Sequence, residues 1–285
     1  MTREQKVNGQ PGRLVLVATP IGNLGDLPPR AIEALGGADV ILCEDTRRTR
    51  ALLTHAGLSG RRLVAMDANR EEAAIARVLT LIGEGKTVAL ATDAGMPAVS
   101  DPGARLVAAV TAAGEEVSVI PGPSAALAAL VVSGLPTDRF VFEGFLPRKG
   151  SERAARLQAL AAEERTTVIF EAPLRLAATL ADLVAACGGE RRVSVARELT
   201  KLHEEVWRGT LRDAADLAGG ANPRGEQVVV LGGRPAAGAP DEETVILAVR
   251  VRLDAGDSAR DAARAVATEL GIPRRAAYEL ALRLR

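Results

Sequence analysis

Three segments of this chain combine glycine, proline and small polar residues directly after short apolar runs. They are Thr19-Pro20-Ile21-Gly22-Asn23-Leu24-Gly25-Asp26, Thr92-Asp93-Ala94-Gly95-Met96-Pro97-Ala98-Val99-Ser100-Asp101-Pro102-Gly103 and Pro121-Gly122-Pro123-Ser124-Ala125-Ala126. Glycine lets backbone amides and carbonyls approach a ligand with no Cβ in the way, and proline sets the loop shape before binding. Turn geometry alone accounts for any one such loop; three in a common setting imply a ligand read largely by main chain. Asp93 is either a contact to that ligand or a turn cap. Neither G-x-x-x-x-G-K-[ST] nor G-x-G-x-x-G occurs, which argues against a nucleoside triphosphate or a dinucleotide.

Two charged sets add side-chain chemistry. In Glu44-Asp45-Thr46-Arg47, Asp45 can accept a proton and Arg47 can hold a phosphate, while a helix start with Asp45 or Thr46 as N-cap explains the same residues structurally. Glu198, Lys201 and Glu204, with His203 beside them, form the second set, for which the plain reading is a solvated charged run. With two histidines and two cysteines in all, no zinc site can be drawn, and His203-Glu204-Glu205 lacks the second histidine of a metalloprotease helix. No metal is expected.

The elements that must position these residues alternate. Short β-branched runs at Leu14–Ala18, Val40–Cys43, Leu63–Met66, Val88–Ala91 and Val117–Ile120 are separated by helical patterns such as Pro29–Leu35 and Glu71–Gly83. Such alternation predicts a mostly parallel sheet covered on both faces, with the loops at the carboxyl ends of its strands. After Phe145 the composition shifts to Leu146-Pro147-Arg148-Lys149-Gly150-Ser151, and a helix is expected from about Glu152. A second α/β layer follows, with strands at Val168–Phe170, Val193–Ala196, Glu205–Gly209 and Gln227–Leu231 around a helix at Leu174–Cys187. Residues 13–146 and 152–233 are therefore read as two α/β domains. The breaker-rich stretch Gly232–Pro240 reads as a linker to a helical appendix at 241–285. There Ser258 and Asp261 have capping-box spacing, Gly271-Ile272-Pro273 separates two helices, and Arg274, Arg275, Arg283 and Arg285 mark the last element as a possible nucleic-acid contact.

Apolar residues make up 47% of the chain and charged residues 25%, a balance that builds cores rather than disorder. Lys plus Arg equals Asp plus Glu at 36 each, so no global field draws the protein to nucleic acid or an anionic surface, and any such binding must come from local patches. Only Cys43 and Cys187 are present, the N-terminus is polar, and no apolar run reaches the ~18 residues of a membrane helix. A reducing cytoplasm is expected, with no membrane association.

The loops, in this order, resemble the tetrapyrrole-methylase-like class of S-adenosylmethionine-dependent methyltransferases. Within the class the match is to the ribosomal RNA small subunit methyltransferase I family, which methylates a cytidine ribose 2′-hydroxyl. It runs from about Leu14 to Leu231. Its carriers are Val17–Leu24, Cys43-Glu44-Asp45-Thr46-Arg47, Thr92-Asp93-Ala94-Gly95, Ser100-Asp101-Pro102-Gly103, Pro121-Gly122-Pro123-Ser124, Gly144–Lys149 and Arg197–Lys201. Two departures stand out: Met96 replaces the usual Thr, and Glu171-Ala172-Pro173-Leu174-Arg175 replaces a family Glu-Ser-Pro-His-Arg.

The resemblance implies S-adenosylmethionine in a cleft between the two domains, touched by Pro20, Ile21, Asp93, Ala94, Gly95, Met96, Val99, Ser124, Ala125, Phe170 and Gln227. It also implies ribosomal RNA of the small subunit as substrate and a homodimer. The N-terminal domain then carries the cofactor loops and the substrate side, and the second domain the other side of the cofactor. A 2′-hydroxyl is a poor nucleophile until its proton leaves, so Asp45 or Lys201 is a candidate general base, with Arg47 and Lys201 as candidate phosphate contacts. The basic clusters Arg47-Arg48-Arg50, Arg61-Arg62 and Arg148-Lys149 with Arg153 and Arg156 would meet RNA. Aromatics are 2% of the chain, so phosphate and shape contacts should outweigh base stacking. The rival readings are a methyltransferase of the same class acting on a small molecule such as a tetrapyrrole precursor, and a non-catalytic RNA-binding assembly protein.

Overall fold

A computed structural model describes residues 11–66, 71–220, 225–235, 242–270 and 272–284. They group into two compact units, one closing at Gly233 and the other opening at Arg234.

In the first unit, β1 (Arg13–Val17), β2 (Val40–Cys43), β3 (Leu63–Ala65), β4 (Thr87–Ala91) and β5 (Glu116–Ile120) make a wholly parallel sheet in the order β3-β2-β4-β1-β5. Side chains alternate faces along a strand, and both faces are covered. Leu14, Leu16, Leu42, Val88 and Leu90 pack under α3 (Glu71–Gly83) and α4 (Ala104–Ala112); Val15, Val17, Ile41 and Ala89 pack under α1 (Pro29–Gly37) and α2 (Thr46–His55). Strands buried on both faces read as unbroken apolar runs, which is why they were visible in the sequence. The adjacent parallel strands β1 and β4 are followed by helices on opposite faces, α1 and α4, and the loops after them open side by side at the carboxyl edge of the sheet.

The second sheet is mixed: β6 (Phe140–Phe145), β7 (Thr166–Glu171), β8 (Arg192–Arg197), β9 (Glu205–Thr210) and β10 (Gln227–Leu231), in the order β6-β7-β10-β8-β9, with β6 and β7 parallel and the other pairs antiparallel. One face carries α5 (Ala125–Ser133), whose Ala126, Ala129 and Leu130 meet Val168, Ala196, Val228 and Val230. The other carries α6 (Gly150–Ala162), α7 (Leu176–Cys187) and α8 (Leu211–Gly219) over Ile169, Val193, Val229 and Leu231. Both β6 and α5 lie before the boundary read after Leu146, yet they pack with this second sheet. Strand β6 escaped notice because Glu143-Gly144 breaks its apolar run; the register against β7 shifts there, between Phe142 and Gly144.

The second unit is a three-helix cluster of α9 (Glu242–Asp254), α10 (Ala259–Leu270) and α11 (Arg274–Arg283), joined through Val245, Val249, Ala263, Val266, Ala277 and Ala281. The Ser258 hydroxyl donates to Asp261 at 2.6 Å and accepts the Asp261 backbone N–H at 3.2 Å, closing the cap expected there. Helix α9 was not anticipated, since its consecutive Val245–Val249 apolar run masks the helical period. The linker from Ala236 to Pro240, the Gly271 turn and Arg285 lie outside the described residues. Among those described, no helix is long and apolar enough to cross a membrane.

Candidate active site

The loops after β1 and β4 are stitched together by an isolated bridge. The Thr19 N–H donates to the Gly95 carbonyl at 2.9 Å, and the Gly95 N–H returns to the Thr19 carbonyl at 3.1 Å. Gly95 sits at φ +83°, in the left-handed region, and a Cβ there would stand 3.4 Å from the Ile21 side chain. The third loop ends at Ser124, whose hydroxyl accepts the Leu127 N–H at 3.4 Å and caps α5. Non-glycine residues with positive φ are Ala98, Ser100, Glu198 and Thr200 among the described residues, all on loops beside the cavities described next. Such backbone strain concentrates at functional sites.

These loops and the ends of β6, β7 and β10 enclose a cavity of ≈ 420 Å³. Of the contacts implied by resemblance, Ile21, Asp93, Ala94, Gly95, Met96, Val99, Ser124, Ala125, Phe170 and Gln227 line it. Pro20 instead lines an adjoining cavity of ≈ 320 Å³ whose wall also includes Ile21, Arg48, Asp93, Ala94 and Glu226. Phe170 packs edge-on to Phe145, with centroids 5.6 Å apart, and makes an apolar wall. Met96 and Ala172 line the cavity, whereas Leu174, the other changed residue of the Glu171–Arg175 segment, is 87% exposed and does not line it.

Neither Asp45 nor Arg47 lines either cavity. The Asp45 carboxylate accepts the Arg47 backbone N–H at 2.7 Å as the N-cap of α2. That hydrogen bond holds its pKa below the usual carboxylate range, which makes it a poor proton acceptor. The Arg47 side chain is 90% exposed. Lys201 lines the adjoining cavity with its ammonium 2.8 Å from Glu198 and 2.9 Å from Glu226. Burial works against its charge, yet the two carboxylates outweigh burial and raise its pKa. Lys201 is therefore a fixed cation, not a base. Its stem lies against Gly22, where a Cβ would come within 2.4 Å of the Lys201 Cγ.

Several residues of the cavity had no individual role in the sequence reading: Glu44, Arg48, Asp101, Glu171 and Glu226. Arg48 approaches Asp93 at 3.4 Å. Burial, reinforced by the nearby negative charge of Glu44, pushes the Asp101 carboxyl up to about 6. The Glu171 carboxylate accepts the Ala172 N–H at 2.8 Å and the Thr179 hydroxyl at 2.5 Å, with Arg175 at 3.3 Å. Asp101 belongs to the Ser100-Asp101-Pro102-Gly103 motif, but only its burial and its charged neighbours set it apart from an ordinary turn aspartate. Among the basic clusters, Arg50, Arg61, Arg62, Arg148 and Lys149 are exposed. Arg153 is not available to RNA as expected: it is buried and donates to Asp182, Thr179 and the Pro147 carbonyl. Arg156 is engaged with Glu143 at 2.6 Å.

The family Tetrapyrrole (Corrin/Porphyrin) Methylases matches residues 13–215. A ribosomal RNA small subunit methyltransferase I of Synechocystis sp. is 47% identical over 275 residues, covering 96% of this chain and 98% of that protein. The protein of the same name from Mycobacterium tuberculosis (strain CDC 1551 / Oshkosh) is 45% identical, covering 96% of each. Among solved structures, a uroporphyrin-III C-methyltransferase from Thermus thermophilus complexed with S-adenosylhomocysteine superposes with TM-score 0.55 at 21% identity, over 78% of this chain and 97% of that one. A cobalt precorrin-4 methyltransferase gives TM-score 0.60 at 19% identity, over 77% and 94%; these two likenesses concern the fold. With near-complete coverage at such identity, the chain belongs to the ribosomal RNA small subunit methyltransferase I family of the tetrapyrrole methylases.

Proposed function

We propose that this protein transfers the methyl group of S-adenosylmethionine to the 2′-hydroxyl of a cytidine in small-subunit ribosomal RNA. The observation that supports the reading most is the convergence of Ile21, Asp93–Met96, Val99, Ser124, Ala125, Phe170 and Gln227 on one cavity. Its ≈ 420 Å³ lies within the usual range for small-molecule sites. The lining suits the compound: backbone at Ala94 for polar edges, Phe170 for an apolar face, and the carboxylates of Asp93, Asp101 and Glu44 around a sulfonium cation.

S-adenosylmethionine supplies an already activated methyl group, so the protein's task is alignment, which contributes roughly 7–11 kcal/mol in favourable cases. Pro20 and Ile21 cover one side, the bridged Gly95 loop holds the other, and Phe145 with Phe170 keeps water from the reacting centre. Lys201, clamped by Glu198 and Glu226, and the exposed Arg47 contact RNA phosphates, with Arg61, Arg62, Arg148 and Lys149 extending the basic rim. This rim favours RNA over a small tetrapyrrole. Residues 241–285 add RNA contacts through Arg274 and Arg283. With formal net charge +0, affinity for naked RNA is weak and the folded small subunit supplies the missing shape. The protein works in the cytoplasm as a homodimer, a state supported by exposed Leu127 and Val131 on α5 and Val119 on the edge strand β5. The test is methylation of naked ribosomal RNA against assembled small subunits, with 2′-O-methyl mapping. Faster turnover on naked RNA, or a mark on a base, overturns this reading.

A further inference from the structure

We infer that the adjoining cavity receives the acceptor base, splayed out of the RNA, and that the Glu226 carboxylate reads it as cytosine by accepting its 4-amino group, an inference resting on the methyl-transfer reading above. The two cavities are continuous, since Ile21, Arg48, Asp93, Ala94 and Glu226 line both. The larger one takes the cofactor in that reading. The ≈ 320 Å³ of the other, at the lower end of the range for small-molecule sites, is left for the group that meets it. A ribose held at the shared wall beside Ile21 and Ala94 has its 2′-hydroxyl toward the cofactor and its base in the adjoining space. That space suits a base: Pro20, Leu24 and Leu52 give it apolar sides, and Glu226 and Lys201 give it a polar edge. Sequence-specific reading of RNA works on bases turned out of the stack, through their Watson–Crick edges.

Glu226 is fixed at both ends. Its backbone N–H donates to the Glu198 carboxylate at 3.0 Å, and its Oε2 accepts from the Lys201 ammonium at 2.9 Å, while Glu198 takes the same ammonium at 2.8 Å. The support is strained. Glu198 and Thr200 adopt φ +50° and +66°, and the turn that carries Lys201 is pressed so close to Gly22 that a Cβ there would stand 2.9 Å from the Thr200 Oγ1. An ion pair whose carboxylate is 69% exposed adds little to fold stability, so stability does not account for a strained turn that delivers a cation to Glu226. A carboxylate accepts about four hydrogen bonds, so the Lys201 pair leaves Glu226 with acceptor capacity for the cavity. Cytosine offers an amino donor at that edge, and a glutamate accepting from the 4-amino group is the usual carboxylate contact to this base. Uracil offers a carbonyl there, which a carboxylate repels. Lys201 orients Glu226 and keeps its remaining donor for the RNA backbone. Glu226 thus sets which base is accepted and takes no part in the methyl transfer itself.

The experiment uses full-length protein and small subunits reconstituted with one of three nucleosides at the methylated position: cytidine, uridine, or pyrimidin-2-one riboside, which is cytidine without its 4-amino group. Single-turnover methyl transfer is read at saturating S-adenosylmethionine, whose affinity is measured separately by calorimetry. The wild type is expected to transfer roughly 10- to 100-fold faster to cytidine than to either analogue, the discrimination of one good base contact. In Glu226→Gln the amide can donate to the uracil carbonyl as well as accept from the cytosine amino group, so the cytidine-to-uridine ratio falls to within about threefold of one. Because cofactor affinity cancels in that ratio, the readout separates base reading from a contact to S-adenosylmethionine. A wild-type rate on the pyrimidin-2-one close to that on cytidine, or a Glu226→Gln ratio as high as that of the wild type, overturns the assignment. The first of these needs no variant, so it decides even where Glu226→Gln fails to fold. No methyl transfer by the wild type to any of the three would instead sink the methyl-transfer reading, so the two failures are distinguishable.

Discussion

The Asp45 backbone N–H donates to the Asp93 carboxylate at 3.1 Å, joining the start of α2 to the loop after β4. Asp93 is thus both a wall of the cavity and the tie that holds the neighbouring wall, since Arg48 on α2 also reaches it at 3.4 Å. Asp93→Ala should weaken S-adenosylmethionine binding at least tenfold in calorimetry while lowering fold stability by only about 1 kcal/mol, the usual net worth of one hydrogen bond. A variant that binds normally would remove Asp93 from the site.

Gly95→Ala tests the bridged loop. An L residue at φ +83° carries a left-handed strain of about 1–2 kcal/mol. The added methyl also meets Ile21 at 3.4 Å. We expect a lower midpoint in thermal unfolding, and weaker S-adenosylmethionine binding than the stability loss alone explains. Equal Tm and affinity would show that the loop tolerates a side chain.

Arg153→Met separates burial from RNA contact. The guanidinium donates to Asp182 at 2.7 and 2.9 Å and to the Pro147 carbonyl at 2.9 Å. Losing it leaves these acceptors unpaired and should cost about 3 kcal/mol in urea unfolding. Affinity of the folded variant for small subunits should not change; a selective loss of that affinity would restore Arg153 to the RNA surface.

Lys201→Met should raise the KM for small subunits and leave the pH profile of methyl transfer unchanged, since its ammonium is held charged between Glu198 and Glu226. Loss of a titrating limb in this variant would argue that Lys201 handles the proton after all.

Asp101 also predicts a pH dependence of stability. Its carboxyl titrates near 6 in the fold against 3.8 for the ordinary group, so between those values the folded state binds more protons than the unfolded chain. This contribution favours folding fully below about 3.8 and is lost as pH rises through about 6. Asp101→Asn, which carries no charge to bury, should therefore gain stability relative to wild type at pH 8 and lose that advantage at pH 4, as read by denaturant unfolding of the ligand-free protein.

Much of this was legible in the residues alone. Unbroken apolar runs such as Val40–Cys43 and Val228–Leu231 declare strands whatever surrounds them, because strands covered on both faces carry no polar face. The Gly- and Pro-rich loops after β1, β4 and β5 likewise announce a main-chain site, since backbone approach demands those residue types locally. Side-chain roles were not legible, because a carboxylate's chemistry depends on what lies within a few ångströms in space. Asp45 and Asp101 are both aspartates at the approach to a helix. The cap at Asp45 is a local bond that the sequence already offered, but only the tertiary structure shows that it, and not Thr46, takes that role and leaves Asp101 desolvated beside Glu44. The same holds for Arg153 and Arg148, five positions apart: α7 brings Asp182 and Thr179 to the first, and nothing in the local sequence foretells that burial.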